Sequence, residues 1–151
     1  RGGLTTAQIL ADYFDNCPIT VFSICSYKEL QQENKPKVTL PLSNQLNLAD
    51  KKILLVDDLS DSGATFLLGI DYLHSLGARV IKTAALVVKS KSRYTPDYAV
   101  LNNNSWIIFP YETKETTVSL VGMYKKQGLK DDEIIRKLKE LRLNLYFYRH
   151  D

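Results

Sequence analysis

Cysteine is scarce in this sequence, and that scarcity bounds the protein class. Cys17 and Cys25 are the two cysteines in 151 residues. They make no disulfide framework and lack metal-ligand spacing, so a reduced, cytoplasmic protein is the expectation. No apolar run approaches the length of a membrane span. A large excess of charge is missing as well. The formal net charge of +3 is too small to imply a nucleic-acid partner. Neither an internal repeat nor a low-complexity linker divides the chain. The remainder is ordinary for a globular fold, with 44% hydrophobic and 25% charged residues. A chain of this length can bury a core of its own as one compact domain.

Hydrophobic periodicity supplies the elements. Leu4, Ala7, Leu10, Ala11 and Phe14 recur at helical spacing and predict an amphipathic helix from Leu4 to Phe14. Ile19 to Cys25 follows Pro18 and is rich in β-formers, which predicts a strand. Lys28 to Lys37 is polar and aperiodic and reads as a mobile loop. The run Ile53 to Val56 has the continuous apolar character of a strand buried on both faces of a parallel sheet, and a central position ending at Val56 is expected. Phe66, Leu67, Ile70, Leu73 and Leu76 resume helical period, with Gly77 placed as the C-terminal cap. Val80 to Val88, Tyr98 to Leu101 and Trp106 to Phe109 read as further strands, the last two around the turn-prone Asn102, Asn103 and Asn104. Ile134, Ile135, Leu138 and Leu141 define a last helix, after which Leu143, Leu145 and Phe147 alternate like a strand. Helices alternating with buried strands predict an α/β fold, an open, mostly parallel sheet with flanking helices.

The chemistry concentrates in one stretch. A buried strand leads into Asp57 and Asp58, and three residues later Ser62-Gly63-Ala64-Thr65 opens a helix. Ligands of open α/β sheets bind at the carboxyl ends of strands, which is where the two aspartates stand. Ser62, Gly63 and Thr65 have the composition of an anion cradle. Gly63 lets backbone approach a ligand, and the free N–H groups of a helix start point toward it. Adjacent carboxylates would repel the same phosphate, so they suit sugar hydroxyls or a bound cation. One acidic half and one anion-binding half fit a phosphorylated sugar, with a metal reconciling the charges. Taken singly, the aspartates could be a solvated strand end and Ser-Gly-x-Thr a capped helix. A Walker-type loop is excluded because no lysine occupies its place. A receiver domain would need a phosphoacceptor aspartate ending a later strand, and neither Val80 to Val88 nor Tyr98 to Leu101 ends in one.

The stretch from Val56 to Thr65, VDDLSDSGAT, resembles the signature of the type I phosphoribosyltransferases. Other segments follow in the family's order. Arg1-Gly2-Gly3-Leu4 resembles the turn with which the purine enzymes hold pyrophosphate, and Ser26-Tyr27 the pair at the base of the flexible loop. Lys89, Trp106-Ile107 and Pro110-Tyr111-Glu112 resemble the base-binding segment of the xanthine-guanine and other 6-oxopurine enzymes. The resemblance implies magnesium-dependent transfer of a 5-phosphoribosyl group from diphosphoribosyl pyrophosphate to a purine base, with pyrophosphate leaving.

On that resemblance Asp57 and Asp58 hold ribose hydroxyls and Mg²⁺, and Asp61 to Thr65 (including Ser62, Gly63 and Ala64) cradle the 5-phosphate. Arg1 and Gly2 take pyrophosphate. Asp61 is the candidate general base for the N7 proton, against a plainer role as a solvated helix cap. Lys89 offers a donor to the 6-oxo group and Trp106 a stacking face, with Ile107 and Glu112 beside them. Glu112 stands where an aspartate is more familiar, which bears on the exocyclic 2-substituent. The plainer readings are a core tryptophan and a solvated strand-end lysine.

Residues 1–112 read as the phosphoribosyltransferase domain, with the family's first helix and central strand missing before Arg1, as in a fragment. Residues 113–151 read as a helical and strand extension packed on the same domain. The other reading of the start is a short variant whose tail strand fills the gap. Expected partners are the two substrates and further copies of the chain in a dimer or tetramer, with no nucleic acid and no membrane. A competing function from another class is a regulator that keeps this fold to sense nucleotide without catalysis. It would call for a helix-turn-helix signal or a broad basic face, whereas Arg136, Lys137, Lys139 and Arg142 look like a solvated helix face.

Overall fold

The structure is a computed structural model that describes residues 2–26 and 36–149. Arg1, Tyr27 and all of the Lys28 to Lys37 loop except its last two residues lie outside the described residues. The chain forms two compact units, Arg1–Asn104 and Ser105–Asp151.

The first unit is built on three parallel strands in the order β3-β4-β5, namely Lys52–Ser60, Val80–Val88 and Tyr98–Asn102. The apolar runs form strands as their composition predicts, and β4 matches its predicted bounds. β3 departs from expectation twice. It continues past Val56 to Ser60, because the ladder to β4 holds through the pairs Asp57↔Ala85 and Ser60↔Val88. It also lies at the edge of this three-stranded sheet, with β4 in the middle.

Helix α2 (Ala64–Ser75) returns the chain and buries Phe66, Gly69 and Leu73. Leu73 packs with Leu42, Leu48 and Ala78, joined by Ile53, Leu55, Tyr72 and Ile81. Tyr72 ties this cluster together by accepting a hydrogen bond from the buried Leu42 N–H at 2.8 Å. Tyr72→Phe would leave that donor without its partner. The expected loss is about 1–2 kcal/mol, read as a lower denaturant midpoint with an unchanged slope.

A separate antiparallel pair, β1 (Ser23–Ser26) with β2 (Pro36–Leu40), replaces the longer strand expected from Ile19. Pro36 and Lys37, assigned to the loop from sequence, begin β2. Helix α1 spans Gly2–Tyr13 and contacts β3. The turn expected at Gly2 and Gly3 is therefore the first turn of a helix. Their lack of side chains serves close approach, since a Cβ on Gly3 would run into the Val56 carbonyl and one on Gly2 into the Asp58 carboxylate.

In the second unit, Trp106 to Phe109 is not a strand but an irregular run, followed by a 3₁₀ turn at Pro110–Glu112. Proline has no N–H to give a ladder, and Phe109 instead stacks on Tyr111 with centroids 5.4 Å apart. Helix α3 (Thr113–Lys126) and helix α4 (Asp131–Glu140) pack Leu120 and Val121 against Ile134 and Leu138. The alternating Leu143, Leu145 and Phe147 do not form a strand. Arg142 adopts a left-handed backbone, φ 56°, and turns the chain so that the Leu143 N–H reaches the Leu138 carbonyl. Leu143 then drops into the α3–α4 core, and a short helix α5 (Tyr146–Arg149) follows.

Candidate active site

The acidic end of β3 meets the start of α1. Asp58 is buried, with its carboxylate against Gly2, and Asp57 beside it is half-buried. Burial, and then the neighbouring Asp58 carboxylate, push the Asp57 carboxyl up to about 6, although the Asp58 N–H donates to Asp57 Oδ1 at 3.1 Å and partly offsets this. Two carboxylates side by side, Asp58 buried and Asp57 half-buried, suit a sugar hydroxyl or a cation between them. Among the described residues no group of three or more His, Cys, Asp or Glu forms a metal cage. Two carboxylates are, however, what a magnesium ion that keeps its waters and its substrate's oxygens asks of a protein.

Directly beyond β3, Asp61 and Ser62 are exposed and Gly63 is buried with φ 81°, after which α2 begins at Ala64. The left-handed residue turns the chain into the helix, so the loop amides are not part of a continuous helix. Ser62 Oγ accepts from the Ala64 N–H at 3.3 Å, and the Thr65 side chain at the helix start is exposed. Asp61 does not cap α2. The N-cap residue is Gly63, the side chain that reaches the first helical N–H is that of Ser62, and the Asp61 carboxylate instead lies 3.1 Å from Lys91 Nζ.

Lys91 belongs to a wall that the sequence reading missed, the loop between β4 and β5. Its backbone is stitched to the β3–α2 loop by Lys89 N–H to the Ser60 carbonyl and Arg93 N–H to the Ser62 carbonyl, both 3.0 Å. Tyr94 anchors the wall from below. Its ring stacks on Phe66 at 5.5 Å, and its hydroxyl lies 3.0 Å from the buried Thr83 Oγ1. Thr83 donates its one hydroxyl proton to Asp97 Oδ2 at 2.8 Å, so Tyr94 is the donor in their bond. Asp97 also takes Lys82 Nζ at 2.6 Å, and hydrogen bonding from Lys82 and then Thr83 holds its carboxyl down at about 2. A signal for this wall was available. Loops at the carboxyl ends of neighbouring parallel strands must lie side by side, so the polar stretch after Lys89 had to flank the β3–α2 loop.

The matched family model is the phosphoribosyl transferase domain, which covers residues 1–116. The chain belongs to this family. A phosphoribosyltransferase is a glycosyltransferase, and the chain is therefore an enzyme of that class. Among solved structures, the purine phosphoribosyltransferase of Pyrococcus horikoshii Ot3 is 38% identical, with 74% of this chain and 72% of that one covered at a TM-score of 0.66. The xanthine-guanine-hypoxanthine phosphoribosyltransferase of Helicobacter pylori is 25% identical, with 79% and 76% covered at a TM-score of 0.64. No curated protein sequence gave a significant match.

Within this phosphoribosyltransferase, the structure brings Gly2, Asp57, Asp58 and the Asp61–Thr65 loop together on one unit, with Lys89 beside them at the end of β4. Lys89 is buried, 8% exposed, and so is not the solvated strand-end lysine of the plainer reading. Trp106 is 65% exposed and so is not a core residue. Trp106, Ile107 and Glu112 belong to the second unit, Ile107 half-buried and Glu112 in the 3₁₀ turn. Arg1 lies outside the described residues. No helix among the described residues is long and apolar enough to cross a membrane.

Proposed function

We propose that the chain transfers a 5-phosphoribosyl group from diphosphoribosyl pyrophosphate to a 6-oxopurine base in a magnesium-dependent reaction that releases pyrophosphate. The observation that carries this reading is the juxtaposition of two aspartates, one buried and one half-buried, with a glycine-turned, hydroxyl-rich loop at one strand end. The purine specificity named for the Pyrococcus and Helicobacter enzymes supports the choice of base.

In this reading Asp57 and Asp58 accept hydrogen bonds from the ribose hydroxyls and hold the metal. Backbone amides and hydroxyls from Asp61 to Thr65 bind the 5-phosphate, while Arg1 and Gly2 face the pyrophosphate. Asp61 accepts the proton from N7 as the base attacks the ribosyl carbon. Lys89, on the same unit as the aspartates, donates to the 6-oxo group. Magnesium, when bound, neutralises charge on the departing pyrophosphate. The remaining acceleration comes from holding a weak nucleophile against a carbon that becomes cationic.

Calorimetry of diphosphoribosyl pyrophosphate binding tests the metal. Affinity is expected to rise when Mg²⁺ is added, and equal affinity with and without it would overturn the metal assignment. The Asp57 carboxyl adds a pH signature. Because its folded pKa of about 6 exceeds the ordinary 3.8, the empty protein gains stability from it at low pH and loses that gain as pH rises through about 6. A cation reverses the preference by favouring the carboxylate. The magnesium-dependent part of the affinity should therefore fade as pH drops below about 6.

A further inference from the structure

We propose that the paired hydroxyls of Ser60 and Ser92 form a clasp that positions the phosphate loop for its ligand. Ser60 is the last residue of β3, 1% exposed, and directly precedes Asp61. Ser92 lies across from it in the β4–β5 loop, directly after Lys91. Ser60 Oγ is 2.9 Å from Ser92 Oγ and 3.0 Å from the Tyr94 carbonyl, and Ser92 Oγ is 2.7 Å from that carbonyl. Two hydroxyl protons serve these three contacts. Ser92 donates to the Tyr94 carbonyl, and the Ser60 proton is shared between that same carbonyl and Ser92 Oγ, so the two hydroxyls meet on one acceptor. Ser60 is buried and Ser92 half-buried, and hydroxyls joined in this way strengthen one another and lose their value together when one is removed.

The clasp acts on the phosphate loop from both sides. The Ser60 carbonyl receives the Lys89 N–H, and the Ser62 carbonyl receives the Arg93 N–H. Directly after Ser62, Gly63 packs so closely on the wall that a Cβ there would lie 2.5 Å from the Tyr94 nitrogen and 2.8 Å from Ser92 Oγ. The loop therefore has one position against the wall, and Ser92 sits at the contact. Neither serine is assigned a ligand contact, so both are positioning residues. The inference rests on reading Asp61 to Thr65 as the phosphate cradle.

The test compares inosine monophosphate with inosine, which differ only in the phosphate. Ser92→Ala is expected to weaken inosine monophosphate roughly three- to tenfold and leave inosine unchanged. Ser92→Thr, which keeps the hydroxyl, should restore most of the affinity. The Ser60→Ala/Ser92→Ala double variant should fall little further than Ser92→Ala alone, because the two act as a unit. If Ser60→Ala fails to fold, the Ser92 pair of variants decides the matter alone. Equal losses for both ligands, or no loss in folded Ser92→Ala, would overturn the clasp. Ser62→Ala is the reference that keeps the two readings apart. If it weakens inosine monophosphate while Ser92→Ala does not, only the clasp is wrong. If it has no effect either, the cradle reading fails and the clasp with it.

Discussion

Asp61→Asn is expected to lower kcat by a factor of roughly 10²–10⁴ while leaving KM for both substrates nearly unchanged. Asparagine keeps the size and most of the hydrogen-bonding shape of aspartate but cannot take up a proton as an ionised carboxylate does. In the proposed reading the loop binds phosphate through amides and hydroxyls, so ground-state binding should survive. A loss confined to turnover is the pattern of an interaction that matters in the transition state.

The structure bears on the two plainer explanations for such a result. A helix cap would destabilise α2 on substitution, but Gly63 is the N-cap residue and the side chain bonded to the first helical N–H is that of Ser62, not Asp61. The ion pair to Lys91 is real, yet its two side chains are 53% and 69% exposed. Pairs so exposed to water contribute about 1 kcal/mol or less. Asp61→Asn should therefore melt within a few degrees of the wild type while turning over far more slowly. Steady-state kinetics across the pH range, with a melting curve on the same preparation, makes the check. Turnover near the wild-type rate would leave Asp61 with only its Lys91 pairing and pass the proton to another group or to water.

What the sequence disclosed and what it hid follow one physical division. β4 was legible to its ends because Val80 to Val88 is rich in apolar and β-branched residues, interrupted only at Lys82 and Thr83, and is bounded by Arg79 and Lys89. β3 was legible only to Val56, because two aspartates have poor strand propensity. The ladder to β4, a tertiary effect, carries the strand on to Ser60. Helix α3 escaped notice because three threonines occupy its first turns. Thr116 and Thr117 are buried there, and the Thr117 hydroxyl bonds back to the Thr113 carbonyl at 2.7 Å. The β3–α2 loop stood out by its local chemistry, whereas its wall did not. Ser60 and Ser92 are 32 positions apart, and nothing in either neighbourhood says that their hydroxyls meet. The raised Asp57 pKa was hidden for the same reason, since it depends on burial as well as on the neighbouring Asp58.

Gly63→Ala is expected to cost about 2–5 kcal/mol of stability and to weaken phosphate ligands even where the protein still folds. Part of the cost is the backbone. At φ 81° an alanine Cβ crowds the following carbonyl, a penalty of about 1–2 kcal/mol that any left-handed residue other than glycine bears. The rest is the wall, because the new Cβ meets the backbone nitrogen of Tyr94, which cannot swing aside as a flexible side chain would. Gly77→Ala separates the two parts. Gly77 has φ 90° with no atom within 4 Å of the added Cβ, so it carries the backbone penalty alone. The difference between the two variants in urea denaturation measures the contact between the phosphate loop and the β4–β5 loop. Relief of the collision pushes Gly63 off the wall and splays the loop, which draws the amides away from the phosphate. Affinity for inosine monophosphate should then fall in Gly63→Ala and not in Gly77→Ala. If the two variants lose equal stability, the loops do not touch in solution as they do here, and the phosphate loop would have to be held by α2 alone.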